Sequence, residues 1–425
     1  MTDETLEKNV RGMWEAFVLL TKNEPVAIQM QPDEEKKSVV GRVTDAITGA
    51  ERRHLKIAFV HDKDRYTSGW TYAHELGKED LQKTFGDQLE IVTVDNIFNR
   101  DQTPEEVLKE LAESGCNCVF TTTPRLIHET QKAAVEYPDT KFLNCSLNMA
   151  FSHIRTYYGR MYEAKFLCGL IAGVMTEKNV IAYVADYPIA GVISSINAFA
   201  RGVELVNPKA KIKLYWSTRK GIDIPEELQK SGADLVSSQD MLTPGTALRN
   251  FGLYRLDEIR GEDGETSFEA GDELALPLWN WGKFYERIIR SILSGSWNEL
   301  SNLDEAHAVN YWWGLASGVI DIAVSDDLPE GIKTMTGFYK KAIMRRSFAP
   351  FEGYLTDQAG NHRSESDGYI ATADIVKMDW LLDNIIGEIP DNETLGDAAR
   401  NLVETTDEGN TSEGVKILKS QIERS

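Results

Sequence analysis

Trp70 stands just past an apolar strand, in the stretch LKIAFVHDKDRYTSGWTYAHELG that covers residues 55–77. An indole there could stack on a flat ligand, and it could equally pack under the loop as core. Groups suited to bond breaking are sparse. His61, His74, His128 and His153 are scattered and form no HExxH motif. Neither a Gly-x-Ser-x-Gly elbow nor a phosphate-binding P-loop occurs, and the paired acids Asp326-Asp327 have no partner motif. Without a nucleophile–base constellation the sequence points away from catalysis. Cys116 and Cys118 are one residue apart, which suits neither a zinc knuckle nor a thioredoxin-like motif. With Cys145 and Cys168 they read as free buried thiols, and no metal or cofactor is expected.

The elements that must position Trp70 follow a regular alternation. Ile57 to Val60 is an apolar run of the kind found in buried parallel strands, and Trp70, Tyr72, Ala73 and Leu76 return at helical spacing. Strands are expected at Leu89–Val94, Cys118–Thr122 and Lys141–Asn144, with helices at Pro104–Ser114 and His128–Glu136. Thr103 is the expected N-cap of the first of these helices, and Gly115 ends it. A strongly apolar helix, Tyr162–Met175, precedes a second set of elements. These are strand Val180–Ala185, helix Val192–Val206, strand Ile212–Trp216, helix Pro225–Ser231 and strand Ala233–Ser237. Gly169 and Gly173 inside the apolar helix suggest close packing. Two βαβ sets of this kind make two lobes with a gap between them, where small ligands collect.

Composition agrees with a globular protein of more than one core. The chain has 425 residues, 42% of them hydrophobic and 27% charged. A net charge of −21 argues against a nucleic-acid surface, which needs clustered Lys and Arg. The most apolar stretch, Phe166 to Met175, is far short of the ~20 residues that cross a bilayer. The first twenty residues have acids where a signal peptide has bases, and no lipobox cysteine; on that reading the chain stays in the cytoplasm unless a leader precedes Met1. Thr5 to Leu20 reads as an amphipathic helix. Residues 391–425 read as an acidic tail, with a second helical pattern from Glu413 to Glu423.

A series of short motifs carries a family likeness. In order they are Gly69-Trp70-Thr71-Tyr72, Phe120-Thr121-Thr122, Tyr137-Pro138-Asp139, Gly159-Arg160-Met161-Tyr162-Glu163 and Ile196-Asn197-Ala198-Phe199. Val206-Asn207-Pro208, Trp279-Asn280-Trp281-Gly282, Tyr311-Trp312-Trp313-Gly314-Leu315, Pro350-Phe351-Glu352-Gly353 and Met378-Asp379-Trp380 complete it. Each is weak alone, but in register over Leu55 to Pro390 they resemble the basic membrane protein (BMP, Med, PnrA-like) family of ABC-transporter substrate-binding proteins. The resemblance implies an α/β type I periplasmic-binding-protein fold. Two Rossmann-like lobes with parallel sheets are then joined by three hinge crossovers, with a helical N-terminal extension. The implied domains are 1–54, a first lobe of 55–156 and 277–312, a second lobe of 157–276 and 313–390, and the tail 391–425. The crossovers fall near Tyr157, Leu276–Leu278 and Trp313–Ile320.

Implied ligands are purine nucleosides or bases such as adenine, and the implied partner is an ABC permease, with no catalysis. Trp70 becomes the candidate stacker. Thr67, Thr122, Tyr187, Asp240, Trp279 and Asn280 are the other candidate ligand-binding residues. Asp240 could accept from an exocyclic amine or cap a helix, and Asn280 can donate and accept at once. Trp279 and Trp281 could also simply pack the hinge, while Arg160 and Glu163 read as an internal pair. Three loops depart from the family pattern. Thr67 replaces an Asp and follows the charged run Asp62-Lys63-Asp64-Arg65-Tyr66; Thr123-Pro124-Arg125 stands where relatives place Ser or Gly with an aromatic, and Ser217-Thr218-Arg219-Lys220 where they place an Asn and a second Trp. These departures weaken the purine expectation but leave the fold. Two functions follow: an extracytoplasmic, membrane-associated solute receptor, or a cytoplasmic ligand-sensing regulator reusing the fold with a changed ligand.

Overall fold

The computed structural model describes residues 54–147, 154–238, 251–260, 266–297, 310–364, 368 and 370–410. The helical patterns at Thr5–Leu20 and Glu413–Glu423, and Asp240, lie outside the described residues.

The first lobe is a six-stranded sheet of order β11-β5-β4-β3-β1-β2, parallel throughout. Its strands are β1 (Leu55–Val60), β2 (Leu89–Val94), β3 (Cys118–Thr121), β4 (Lys141–Cys145), β5 (Arg155–Gly159) and β11 (Asn310–Trp313). β1 and β3 are buried on both faces, apart from the half-buried Lys56, which is why their apolar content runs on rather than alternating. Crossover helices α1 (Gly69–Phe85) and α3 (Ile127–Glu136) return the chain to the neighbouring strand, while α2 (Pro104–Glu113) carries it from β2 past β1 to β3. α2 starts in a full capping box: Thr103 Oγ1 accepts from Glu106 N while Glu106 accepts from Thr103 N at 2.8 Å. α1 buries Thr71, His74 and Glu75 but leaves Leu76 exposed, so the face expected from apolar spacing is rotated toward polar residues.

The second lobe has seven strands in the order β12-β10-β9-β8-β6-β7-β13. Its parallel part is β6 (Val180–Ala185), β7 (Lys211–Trp216), β8 (Leu235–Ser237) and β13 (Ile385–Ile386). β9 (Leu253–Arg260) and β10 (Thr266–Trp279) form an antiparallel hairpin in the middle, followed by β12 (Ile320–Val324) antiparallel to β10. The hairpin makes this sheet mixed, whereas the sequence pattern suggested a parallel one. Helices α4 (Met161–Met175), α5 (Ala190–Val206), α6 (Ile224–Ser231) and α8 (Glu330–Met344) belong to this lobe. All of α4 is buried. It meets α5 so closely that a Cβ on Gly169 would overlap the Phe199 carbonyl oxygen, and one on Gly202 the Phe166 carbonyl oxygen. Glycine on both helices is what permits this approach.

α7 (Trp281–Ser294) leaves β10 and returns to the first lobe, where Trp281, Phe284, Tyr285 and Ile288 share a core with Phe59 and Phe120. The chain thus changes sheets after Gly159, after Trp279 and after Trp313. Tyr157–Gly159 and Trp313 are strand residues of the first sheet, and Pro277–Trp279 of the second, so the sequence boundaries at 156/157, 276/277 and 312/313 each fall a little early. The four cysteines are buried and none forms a disulfide. No helix among the described residues is long and apolar enough to cross a membrane. A four-residue turn of helix, α9 (Thr372–Ile375), precedes β13, and beyond β13 the chain runs past the exit of β7 into α10 (Asp397–Asn410), the last of the described residues.

Candidate functional site

Carboxyl ends of parallel strands expose the groups that a gap between lobes can use. In the first lobe these ends carry His61 after β1, Asp95 after β2 and Thr122 after β3. His61 is fully buried: Nδ1 lies 2.8 Å from Thr122 Oγ1 and Nε2 lies 3.1 Å from Glu75 Oε1. Glu75 also accepts from Lys78 at 2.5 Å, and Lys78 reaches Thr93 Oγ1 at 2.9 Å. Burial pushes the Glu75 carboxyl up, but hydrogen bonds from His61 and Lys78 outweigh it and hold the group below the ordinary range. Burial raises Asp95, whose Oδ1 has no hydrogen-bond partner. His74, one residue before Glu75, is held neutral by burial and bonds Tyr285 Oη at 2.5 Å.

Trp70 is half-buried at the start of α1, where Ser68 caps the helix by accepting from Thr71 N. Its indole N–H donates to Thr122 O at 2.6 Å. Tyr158 stacks against it at 6.0 Å, and Trp279 and Trp281 meet it edge-on at 5.2 and 5.7 Å. Trp279 in turn lies parallel to Trp281 at 5.2 Å, and its buried Nε1–H has no acceptor. These rings form one aromatic wall at the second crossover. Asn280 sits there as the first residue before α7, with its backbone N–H bonded to Val319 O at 2.7 Å.

Of the seven candidate residues, the structure brings Trp70, Thr122, Trp279 and Asn280 together. The Thr122 hydroxyl is already engaged by His61 and by Val60 O at 3.2 Å. Thr67 is exposed on the loop before α1, its N–H bonded to Asp64 Oδ1 at 3.0 Å. Tyr187 belongs to the second lobe and packs against Leu395, Ala399 and Val403 rather than the aromatic wall. His61, Glu75 and Tyr158 escaped sequence reasoning. A signal for His61 existed, because it directly follows a buried strand. Its partners lie 14 and 61 residues away and have no motif.

Two of the loops that depart from the family pattern answer each other. Arg125 Nη1 donates to both Asp62 oxygens, at 3.0 and 3.1 Å, and its guanidinium lies 3.9 Å from the Phe98 ring centre. The lobes approach at Gly191, where a Cβ would sit 3.2 Å from Leu147 Cδ1 and from Tyr158 Cε1. At the third crossover Glu163 Oε2 accepts from Leu315 N at 2.7 Å while Oε1 pairs with Arg160 Nε at 2.7 Å, and Arg160 N donates to Trp313 O at 2.8 Å. The Arg160–Glu163 pair is therefore internal, and it ties two crossovers together. A separate surface recess of about 310 Å³ between α2 and α3 is lined by Thr103, Glu105, Glu106, Lys109, Ala133, Glu136 and Tyr137. It contains none of the strand-end residues.

Residues 54–347 match the family model described as ABC transporter substrate-binding protein, PnrA-like. The chain belongs to this family. A purine-binding protein of Brucella abortus is 24% identical over 359 residues, covering 83% of this chain and 99% of its own length. A Haloferax volcanii protein assigned by name to ABC-transporter glucose binding is 29% identical over 357 residues, covering 82% of this chain and 84% of its own. Among solved structures, a solute-binding protein of an ABC transporter system from Conexibacter woesei superposes with a TM-score of 0.50. It is 13% identical and covers 69% of this chain and 98% of its own. A transcriptional activator of the comK gene from Bacillus halodurans gives 0.52 at 14% identity, covering 70% and 99%. These two show a shared fold. Membership of the PnrA-like family makes the chain an ABC-transporter substrate-binding protein, a class that holds small molecules for a permease.

Proposed function

We propose that this PnrA-like protein closes its lobes on a purine base or nucleoside and presents it to an ABC permease. The observation that carries the reading is the aromatic wall of Trp70, Tyr158 and Trp279 at the carboxyl edge of the first sheet. A flat heteroaromatic ring gains most from such a surface, and the buried Trp279 N–H, lacking an acceptor, is suited to a ring nitrogen or carbonyl. Asn280 and Asp240 are proposed as edge contacts.

The two relatives differ in the ligand their names state, one a purine and the other glucose. A sugar needs many free polar partners. Here Thr122, His61 and Glu75 bond one another, and Asp62 is taken by Arg125, which favours the purine. Thermal unfolding with adenine, adenosine, guanosine, inosine and glucose tests this. A purine at 100 times its Kd should stabilise the fold by about 2.7 kcal/mol. Trp70→Ala should weaken that purine by about 1–3 kcal/mol, measured by titration calorimetry. No response to any of the four purines at millimolar concentration sinks the assignment, and a response to glucose alone transfers it to a sugar.

A further inference from the structure

The segment after Pro390 lies beyond the family match, which ends at 347, and it touches both lobes. On the second lobe it is bound through main chain to the loop that follows β7. Lys220 N donates to Thr394 O at 2.9 Å, Gly396 N donates to Thr218 O at 3.0 Å, and Arg219 and Leu395 form an antiparallel bridge. Lys220 Nζ adds a bond to Glu393 O at 3.1 Å. From there α10 turns one apolar stripe inward. Leu395, Ala399 and Val403, four residues apart, are 0%, 3% and 2% exposed and pack on Tyr187 and Ile189 at the carboxyl end of β6. The same helix runs against Pro124–Leu126, which follows β3 of the first lobe. Both landing points are loops at strand carboxyl ends, the side on which the lobes face each other. They are also two of the three loops in which the sequence leaves the family pattern.

We propose that residues 391–410 are an intramolecular clasp laid across the mouth of the interlobe gap, holding the lobes together when no solute is bound. The main-chain bonds to 217–220 anchor it to the second lobe, and the contact with 124–126 is the releasable end. Opening by hinge motion must break that contact, so the clasp shifts the open–closed equilibrium toward closed and slows solute exchange. The altered loops Thr123-Pro124-Arg125 and Ser217-Thr218-Arg219-Lys220 are then adapted to hold the clasp. This inference rests on the fold and these contacts, whatever the solute.

The test measures lobe separation with no solute added. Spin labels go on Asp139→Cys in the first lobe and Lys209→Cys in the second, both exposed, while the four native cysteines are buried. Distances are compared among the full chain, a chain stopped after Pro390 and the Val403→Asp variant. The full chain should give one narrow, short distribution. Both altered chains should show a broader one at longer distance, and a synthetic peptide of residues 391–410 should shorten it again in the stopped chain. A stopped chain that unfolds cooperatively yet keeps the full chain's distribution overturns the clasp. If the stopped chain does not fold, Val403→Asp carries the same comparison. Loss of cooperative unfolding in both also overturns it, since the segment would then be core of the second lobe.

Discussion

Glu163 shows how one side chain can govern a hinge. Its carboxylate is buried, accepts from Leu315 N and pairs with Arg160, and a Cβ on Gly314 would overlap it. Burial raises its pKa, against the pull of Arg160 and the Leu315 N–H. A raised value means the folded chain keeps this proton at pH where the unfolded chain has lost it. Glu163 therefore costs the fold more as pH rises from the ordinary glutamate value through the raised one. Glu163→Gln removes that dependence and keeps an acceptor for Leu315. Its stability relative to the wild type should climb as pH rises above the ordinary glutamate value, read from urea unfolding at several pH values. A flat difference would show that Glu163 has the same pKa in the folded and unfolded chains. The sequence contained the i,i+3 spacing of Arg160 and Glu163 but no sign of Leu315, 152 residues on. Long-range hydrogen bonds of this sort leave no local pattern. For the same reason Trp70 was recognisable as an aromatic at a strand end, whereas the bond from its N–H to Thr122 O was not.

At the level of elements, hydrophobic periodicity and end signals carried most of the fold. Thr103, Pro104 and Gly115 marked the ends of α2, and the apolar runs of β1, β3 and β6 were plain. The β9–β10 hairpin was not legible. Glu269, Asp272 and Glu273 make its second strand read as a polar loop, and only pairing with neighbours makes it a strand. The glycines of α4 were read as packing sites, and their neighbours bear this out. Gly169→Ala gains about 0.8–1 kcal/mol in helix propensity. It forces α4 off the α5 backbone, an overpacking cost of about 1–3 kcal/mol. A lower thermal midpoint is the expected net result, and an unchanged or higher one would mean the helices separate freely.

For the whole molecule, the decisive fact is that neither lobe is a continuous stretch of chain. The first sheet closes only when β11 pairs with β5, Asn310 against Thr156, and its core is completed only by α7. A chain stopped after Met175 has five of the six strands but lacks Trp281, Phe284, Tyr285 and Ile288, which pack on Phe59 and Phe120. It should show no cooperative melting and should bind a hydrophobic dye, whereas a sharp transition would mean the five strands suffice.

Three passages between lobes also dictate the order of events at the ribosome. Since synthesis runs from the N-terminus, the earliest strands must wait, with Phe59, Phe120 and Tyr157 uncovered, until residues near 313 have emerged. Their protection in that interval falls to chaperones or to transient collapse, and the two halves mature almost simultaneously rather than in turn.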